Sequence, residues 1–137
     1  MIVYMKRITR QIVKNNRDKI FLFGDNLQRK GYGGQAKAMR GEPNAVGIPT
    51  KKKPSMDESS FFTDEEIVNN VREIDNALLK IWQIKPDFDF EYDTIVIPSD
   101  GIGTGLAELP QRAPETYKHL LKRLLELSDN KLPDLIE

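Results

Sequence analysis

The run Ile20-Phe21-Leu22-Phe23 constrains this chain more than any other stretch. Four consecutive apolar residues lack the alternation of a half-exposed strand, so they fit a strand buried on both faces. The run stops at Gly24-Asp25-Asn26, and a polar loop follows through Gly31, Gly33 and Gly34 to Gln35 and Ala36, where a helix can start. A buried strand ending this way delivers its loop to the sheet edge where α/β proteins hold ligands. Thr94-Ile95-Val96-Ile97 repeats the arrangement and ends in Pro98-Ser99-Asp100-Gly101-Ile102-Gly103-Thr104-Gly105-Leu106. The two loops are expected to meet over one pocket.

The elements around these strands read as an alternation of strands and helices. Ile2–Met5 fits a short strand and Ile8–Asn16 a short helix with Thr9 near its start. Residues 35–40 allow one or two helical turns closed by Gly41, and 45–49 a strand interrupted by glycine. Thr50 to Asp57 reads as a mobile flap. Thr63-Asp64-Glu65-Glu66 has the form of a capping box, opening a helix that buries Ile67, Val71, Ile74, Leu78 and Ile81 and ends before Pro86. Trp82 and His119 lie beside the buried stripes and fit packing or surface roles. The last helix, with Pro114 in its first turn, buries Tyr117, Leu120, Leu121, Leu124 and Leu127. The fold class that follows is α/β, three-layered, with a mixed central sheet and helices on both faces. Residues 1–137 read as a single domain whose tail frays from about 128.

Composition narrows the classes. Of 137 residues 39% are hydrophobic and 31% charged, as in ordinary globular proteins. No apolar run approaches the roughly 20 residues of a membrane span, and the N-terminus puts apolar residues before charges, the reverse of a secretory signal. Cysteine is absent, which excludes thiolate chemistry and fits a cytoplasmic location. One histidine leaves no His-based metal cluster, so neither metal nor cofactor is expected.

The zero net charge is divided unevenly. Residues 1–54 carry 13 Lys or Arg against Asp18, Asp25 and Glu42, an excess of ten, and residues 55–137 carry the opposite excess. Either an anionic ligand or nucleic acid explains this, or the two halves attract each other.

Gly101, Gly103 and Gly105 at alternate positions let backbone amides form a nest for phosphate oxygens, with Ser99 and Thr104 hydroxyls as further donors. The spacing fits neither a dinucleotide fingerprint nor a Walker loop. Gly33 and Gly34 allow close approach of a ligand, and the helix start beyond them offers free N–H groups. Asp25 and Asp100 are the carboxylates near the expected pocket; on facing loops they could divide general-base and orienting work.

At these residues the chain resembles a known family. IPSDGIGTGLAELPQRAPETYKHLLKRLLEL (97–127) resembles the last strand, loop and helix of macro domains, which bind ADP-ribose, nearest to the branch that removes ADP-ribose from macromolecules. FGDNLQRKGYGGQAKAM (23–39) resembles that family's earlier strand, turn and glycine pair, with Gly-Asp-Asn in place of a doubled asparagine. The longer stretch 23–54 is also similar to a group of small bacterial and phage proteins. The resemblance implies a macro-like fold, a diphosphate held by residues 101–106, Asn26 near the distal ribose, and Gly33, Gly34 and Ala36 along phosphate and ribose. The full set of expected ligand contacts is Gly24, Asn26, Gly33, Gly34, Gln35, Ala36, Ser99, Gly101, Ile102, Gly103, Thr104, Gly105 and Leu106, with Asp25 and Asp100 as catalytic candidates.

Two functions are therefore expected in competition. One is binding of ADP-ribose or a related phosphorylated nucleotide, free or on a macromolecule, with or without hydrolysis of an ADP-ribosyl linkage. The other is a non-enzymatic module that contacts protein or nucleic acid through the basic N-terminal half.

Overall fold

A computed structural model describes residues 1–133. Strands β1 (Ile2–Met5), β2 (Lys19–Asn26), β3 (Ala45–Lys51) and β4 (Thr94–Pro98) form one sheet in the order β1-β4-β2-β3, each neighbouring pair parallel. The mixed character of the sheet rests on one antiparallel bridge, Lys51 to Phe61, where the chain doubles back beyond β3. Helices α1 (Arg10–Asn15) and α2 (Ala36–Met39) lie on one face; α3 (Ile67–Ile84) and α5 (Pro114–Ser128), preceded by the short α4 (Leu109–Arg112), cover the other. The result is a three-layer α/β arrangement with helices on both faces.

The unbroken apolar runs now have their reason. Successive side chains of a strand point to opposite faces, and both faces of β2 and β4 are covered. Ile20, Leu22, Ile95 and Ile97 join Ile74, Leu78, Ile81, Leu120 and Leu124 in the larger core, while Phe21, Phe23 and Val96 meet Val13, Ala36 and Met39 in the smaller one. The same parity sends position 24 towards the loop at 102–103 and Asp25 towards α2.

Several local expectations are corrected. β2 runs on through Asp25 and Asn26, and β3 through Thr50 and Lys51, so these residues belong to strand ends rather than to a loop or flap. Lys52 donates its backbone N–H to the Ser60 carbonyl at 2.7 Å, which ties down the flap's beginning. The capping box does not form. Residues 64–66 make a 3₁₀ turn, Thr63 gives no side-chain cap, and α3 starts at Ile67. The Asp64 carboxylate instead accepts from the backbone N–H groups of Glu115 (2.8 Å) and Thr116 (3.0 Å), capping α5 from a distant part of the chain. On α3, Asn70 and Ala77 join the buried face while Ile67 and Val71 are only half-buried. On α5, Leu121 is 46% exposed and Thr116 takes a buried place, because the helix is rotated by its Asp64 and Asn70 hydrogen bonds. Trp82 packs partly buried against the core, and His119 lies 2.8 Å from the Asp75 carboxylate in the α3–α5 seam. Leu132 also packs on the core; the rest of the expected frayed tail, 134–137, lies outside the described residues.

Candidate functional site

The strand-end loops do converge. A cleft of about 530 Å³ opens at the C-terminal ends of β2 and β3, with Gly24, Asn26, Gly33, Gly34, Gln35 and Ala36 on one side and Gly103, Gly105 and Leu106 on the other. Gln35 holds the two walls together: its Oε1 accepts from the Gly24 N–H at 2.8 Å and its Nε2 donates to the Gly101 carbonyl at 2.7 Å. Expected as a ligand contact, Gln35 has both ends of its amide engaged in the frame. Gly103 sits at φ 83°, and a Cβ there would lie 3.1 Å from both Leu109 and Thr50, closer than ordinary contact. That conformation favours glycine and fixes the loop against α4.

The remaining residues of the expected set fall elsewhere. Gly101 offers its carbonyl to Gln35, Ile102 is buried in the core, and the Thr104 hydroxyl donates to the Asp100 carbonyl at 2.7 Å. Ser99 and Asp100 lie on a neighbouring groove of about 510 Å³, lined also by Met5, Arg7, Arg10 and Lys37; Gly34 and Gln35 form the wall between groove and cleft. Asp25 lines the cleft and Asp100 does not, so the two carboxylates do not face one space.

Asp25 is 7% exposed and sits in a cage. Oδ1 accepts from the Asn26 N–H at 2.7 Å and from Arg40 Nη2; Oδ2 accepts from Arg29 Nη1 at 3.1 Å and Arg40 Nη1 at 3.2 Å. An ionised carboxylate offers about four lone-pair directions, and all are taken. None remains to draw a proton from water, so the geometry gives Asp25 a positioning role: it holds Arg40 and Arg29. Arg40 also donates Nε to the Gly31 carbonyl at 2.6 Å and lies over the Phe23 ring, which braces the first loop.

Sequence reasoning missed the cleft's cations. Lys30, Arg40 and Lys51 all line it, as do Tyr32, Thr50 and Met56. Lys51 is buried at the end of β3, donating to the Ser55 carbonyl at 2.5 Å and resting 4.7 Å from the Phe61 ring. Burial pushes its ammonium below the ordinary lysine value; Glu108 opposes this and Arg112 adds to it. The Asn26 side chain donates to the Lys30 carbonyl at 2.8 Å, and its buried Oδ1 has no partner. The sequence offered one signal for Lys51, a lysine two positions beyond the expected strand Ala45–Pro49. For Arg40, folded back from the end of α2, it offered none.

Among the described residues the two halves are barely paired with each other. Arg10 and Arg17 pair with Glu42, Arg29 and Arg40 with Asp25, and Lys19 with Asp18, all within the basic half. Among the described residues the only ion pair that joins the halves is Lys52–Glu66. Lys6, Arg7, Lys14, Lys30 and Lys37 are exposed and lack a carboxylate partner there. No group of three or more His, Asp or Glu is placed to hold a metal among the described residues, and no helix there is long and apolar enough to cross a membrane.

Residues 3–123 match a family described as "Family of unknown function (DUF7831)". No curated protein and no solved structure matches the chain.

Proposed function

The chain belongs to that family of unknown function, and from its own geometry we propose that it is a binding module for a phosphate-rich macromolecule, nucleic acid first, contacted through the basic N-terminal half. The observation that carries this is the scarcity of pairing between the halves: among the described residues an excess of ten positive charges is linked to the acidic half by the single ion pair Lys52–Glu66. Such a field attracts a polyanion and steers its approach. Arg7, Arg10 and Lys37 line the groove between the start of α1 and α2, and Lys14 is exposed on α1 beside it. The Lys51–Lys53 run contributes little to this surface, because Lys51 is buried and Lys52 is paired. Binding of a labelled single-stranded oligonucleotide, followed as salt is raised, tests the reading: affinity that falls steeply with salt supports it, and no binding at low salt refutes it.

A second reading, a phosphorylated nucleotide of the ADP-ribose type in the strand-end cleft, is favoured by a different observation. The cleft combines cations with an apolar rim, for Tyr32, Met56 and Leu106 are 64%, 55% and 62% exposed and all line it. An anionic ligand with a planar ring suits that lining. The caged Asp25 points to holding rather than cutting. Calorimetry with ADP-ribose tests this reading separately.

A further inference from the structure

Behind Asp25, on the side away from the strand-end cleft, a small groove of about 230 Å³ opens at the β3 edge of the sheet. The end of α2 supplies Met39 and Arg40, and the last turns of α3 supply Lys80 and Gln83. Three cations, Arg29, Arg40 and Lys80, line this groove with one carboxylate, Asp25, and Glu73 is the other carboxylate close enough to act on Lys80, so positive charge is in excess there. Arg40 is satisfied by Asp25 and by the Gly31 and Lys30 carbonyls.

Arg29 is not. Its Nη1 serves both Asp25 and the Gly47 carbonyl (2.5 Å), while Nε and Nη2 have no partner among the described residues. Nor does the Lys80 ammonium have a hydrogen-bond or ion-pair partner there. Lys80 is exposed, and the partial desolvation of its ammonium together with the neighbouring Arg29 pushes it below the ordinary lysine value, opposed by Asp25 and Glu73. Arg29 also holds a left-handed backbone, φ 57°, which a residue with a side chain rarely adopts. That bend brings its guanidinium back over the sheet edge, on Asp25 and Gly47.

We propose that this β3-edge groove is a separate oxyanion site, in which Arg29 and Lys80 take one phosphate group, free or as a monoester. A tetrahedral dianion would use the idle guanidinium N–H groups and the ammonium, and would neutralise the local excess. The site is independent of the polyanion reading, since neither Arg29 nor Lys80 lines the groove between α1 and α2 on which that reading draws.

The test is a ¹⁵N-resolved NMR titration with inorganic phosphate against sodium chloride at equal ionic strength. Saturable shifts are expected at Arg29, Gly47, Lys80 and Gln83. Lys80 is exposed and has no hydrogen-bond or ion-pair partner among the described residues, so Lys80→Gln should keep the fold while affinity falls about tenfold, and Lys80→Arg should retain it. Methyl phosphate run in parallel distinguishes an esterified group from the free ion, and a response to either upholds the site. Shifts no larger than those with chloride, or phosphate binding unchanged in Lys80→Gln, would overturn the proposal whatever the oligonucleotide experiment shows.

Discussion

All four acceptor directions of the Asp25 carboxylate are occupied, and that single residue decides how the first loop is held. Replacing it with alanine leaves two guanidiniums without their anion, and breaking a buried pair of this kind costs about 3 kcal/mol. Urea unfolding of Asp25→Ala should show that loss as a lower midpoint. A catalytic carboxylate with no structural duty would leave the midpoint in place. Gly47 reports on the same cage, since a Cβ there would sit on the Asp25 carboxylate. For the strand-end cleft the informative substitution is Gly33→Glu. Position 33 has open space around it, whereas Gly103→Glu would strain the loop against Leu109 and Thr50 before any ligand was added. If the cleft takes an ADP-ribose-type ligand, calorimetry should give heat with the native protein and none with Gly33→Glu. Heat from both would place the ligand elsewhere, and heat from neither removes that reading. The glycines were legible in the sequence because their spacing has a backbone meaning. The cations around them were harder to read: Lys51 had only its place just beyond an apolar strand, and Arg40 reaches the cleft through tertiary folding that no local pattern encodes.

At the scale of elements, the buried strands β2 and β4 could be read directly, and so could the centres of the α3 and α5 stripes, Ile74, Leu78 and Ile81 on one and Leu120, Leu124 and Leu127 on the other. Apolar period and proline stops are local properties, and the core packing follows them. The opening of α3 could not. Thr63-Asp64-Glu65-Glu66 has the form of a self-contained cap, yet Asp64 satisfies orphan amides at the start of α5, 51 and 52 positions away. A sequence window shows what an aspartate can cap, not which helix end comes within its reach. Burial would raise the Asp64 pKa, but hydrogen bonds from the Glu115 and Thr116 amides and the Thr116 hydroxyl outweigh it and hold the carboxyl below the usual aspartate value. A lowered folded-state value means that the unfolded chain takes up the proton first as pH falls. The stabilisation is therefore complete above the unfolded value and disappears as pH falls through the folded one. Asp64→Ala should lose about 1 kcal/mol at neutral pH. It should also show a shallower decline in stability on acidification than the native chain, measured by thermal unfolding at a series of pH values. Parallel acid profiles for the two proteins would mean that the cap contributes nothing.

Across the whole molecule, the sequence already displayed the division of charge between its halves but left two explanations open. Mutual attraction of the halves predicts many ion pairs between them. The fold instead places Glu42 and Asp25 in pairs inside the basic half and leaves Lys6, Arg7, Lys14 and Lys37 without carboxylate partners among the described residues. The convergence of the two loops was likewise legible, since parallel strands deliver their C-terminal ends to one edge. The separation of Asp25 from Asp100 was not, because it depends on the side of the Gly34–Gln35 wall to which each carboxylate falls. The measurement that bears most directly on the polyanion reading is the salt dependence of single-stranded oligonucleotide binding, by fluorescence anisotropy, for the native chain and for Lys14→Glu with Lys37→Glu. Each phosphate contact contributes roughly 0.7 to the slope of log affinity against log salt. The double variant should therefore bind more weakly and with a slope shallower by roughly 1.4. Equal affinity and equal slope for the two proteins would contradict the account.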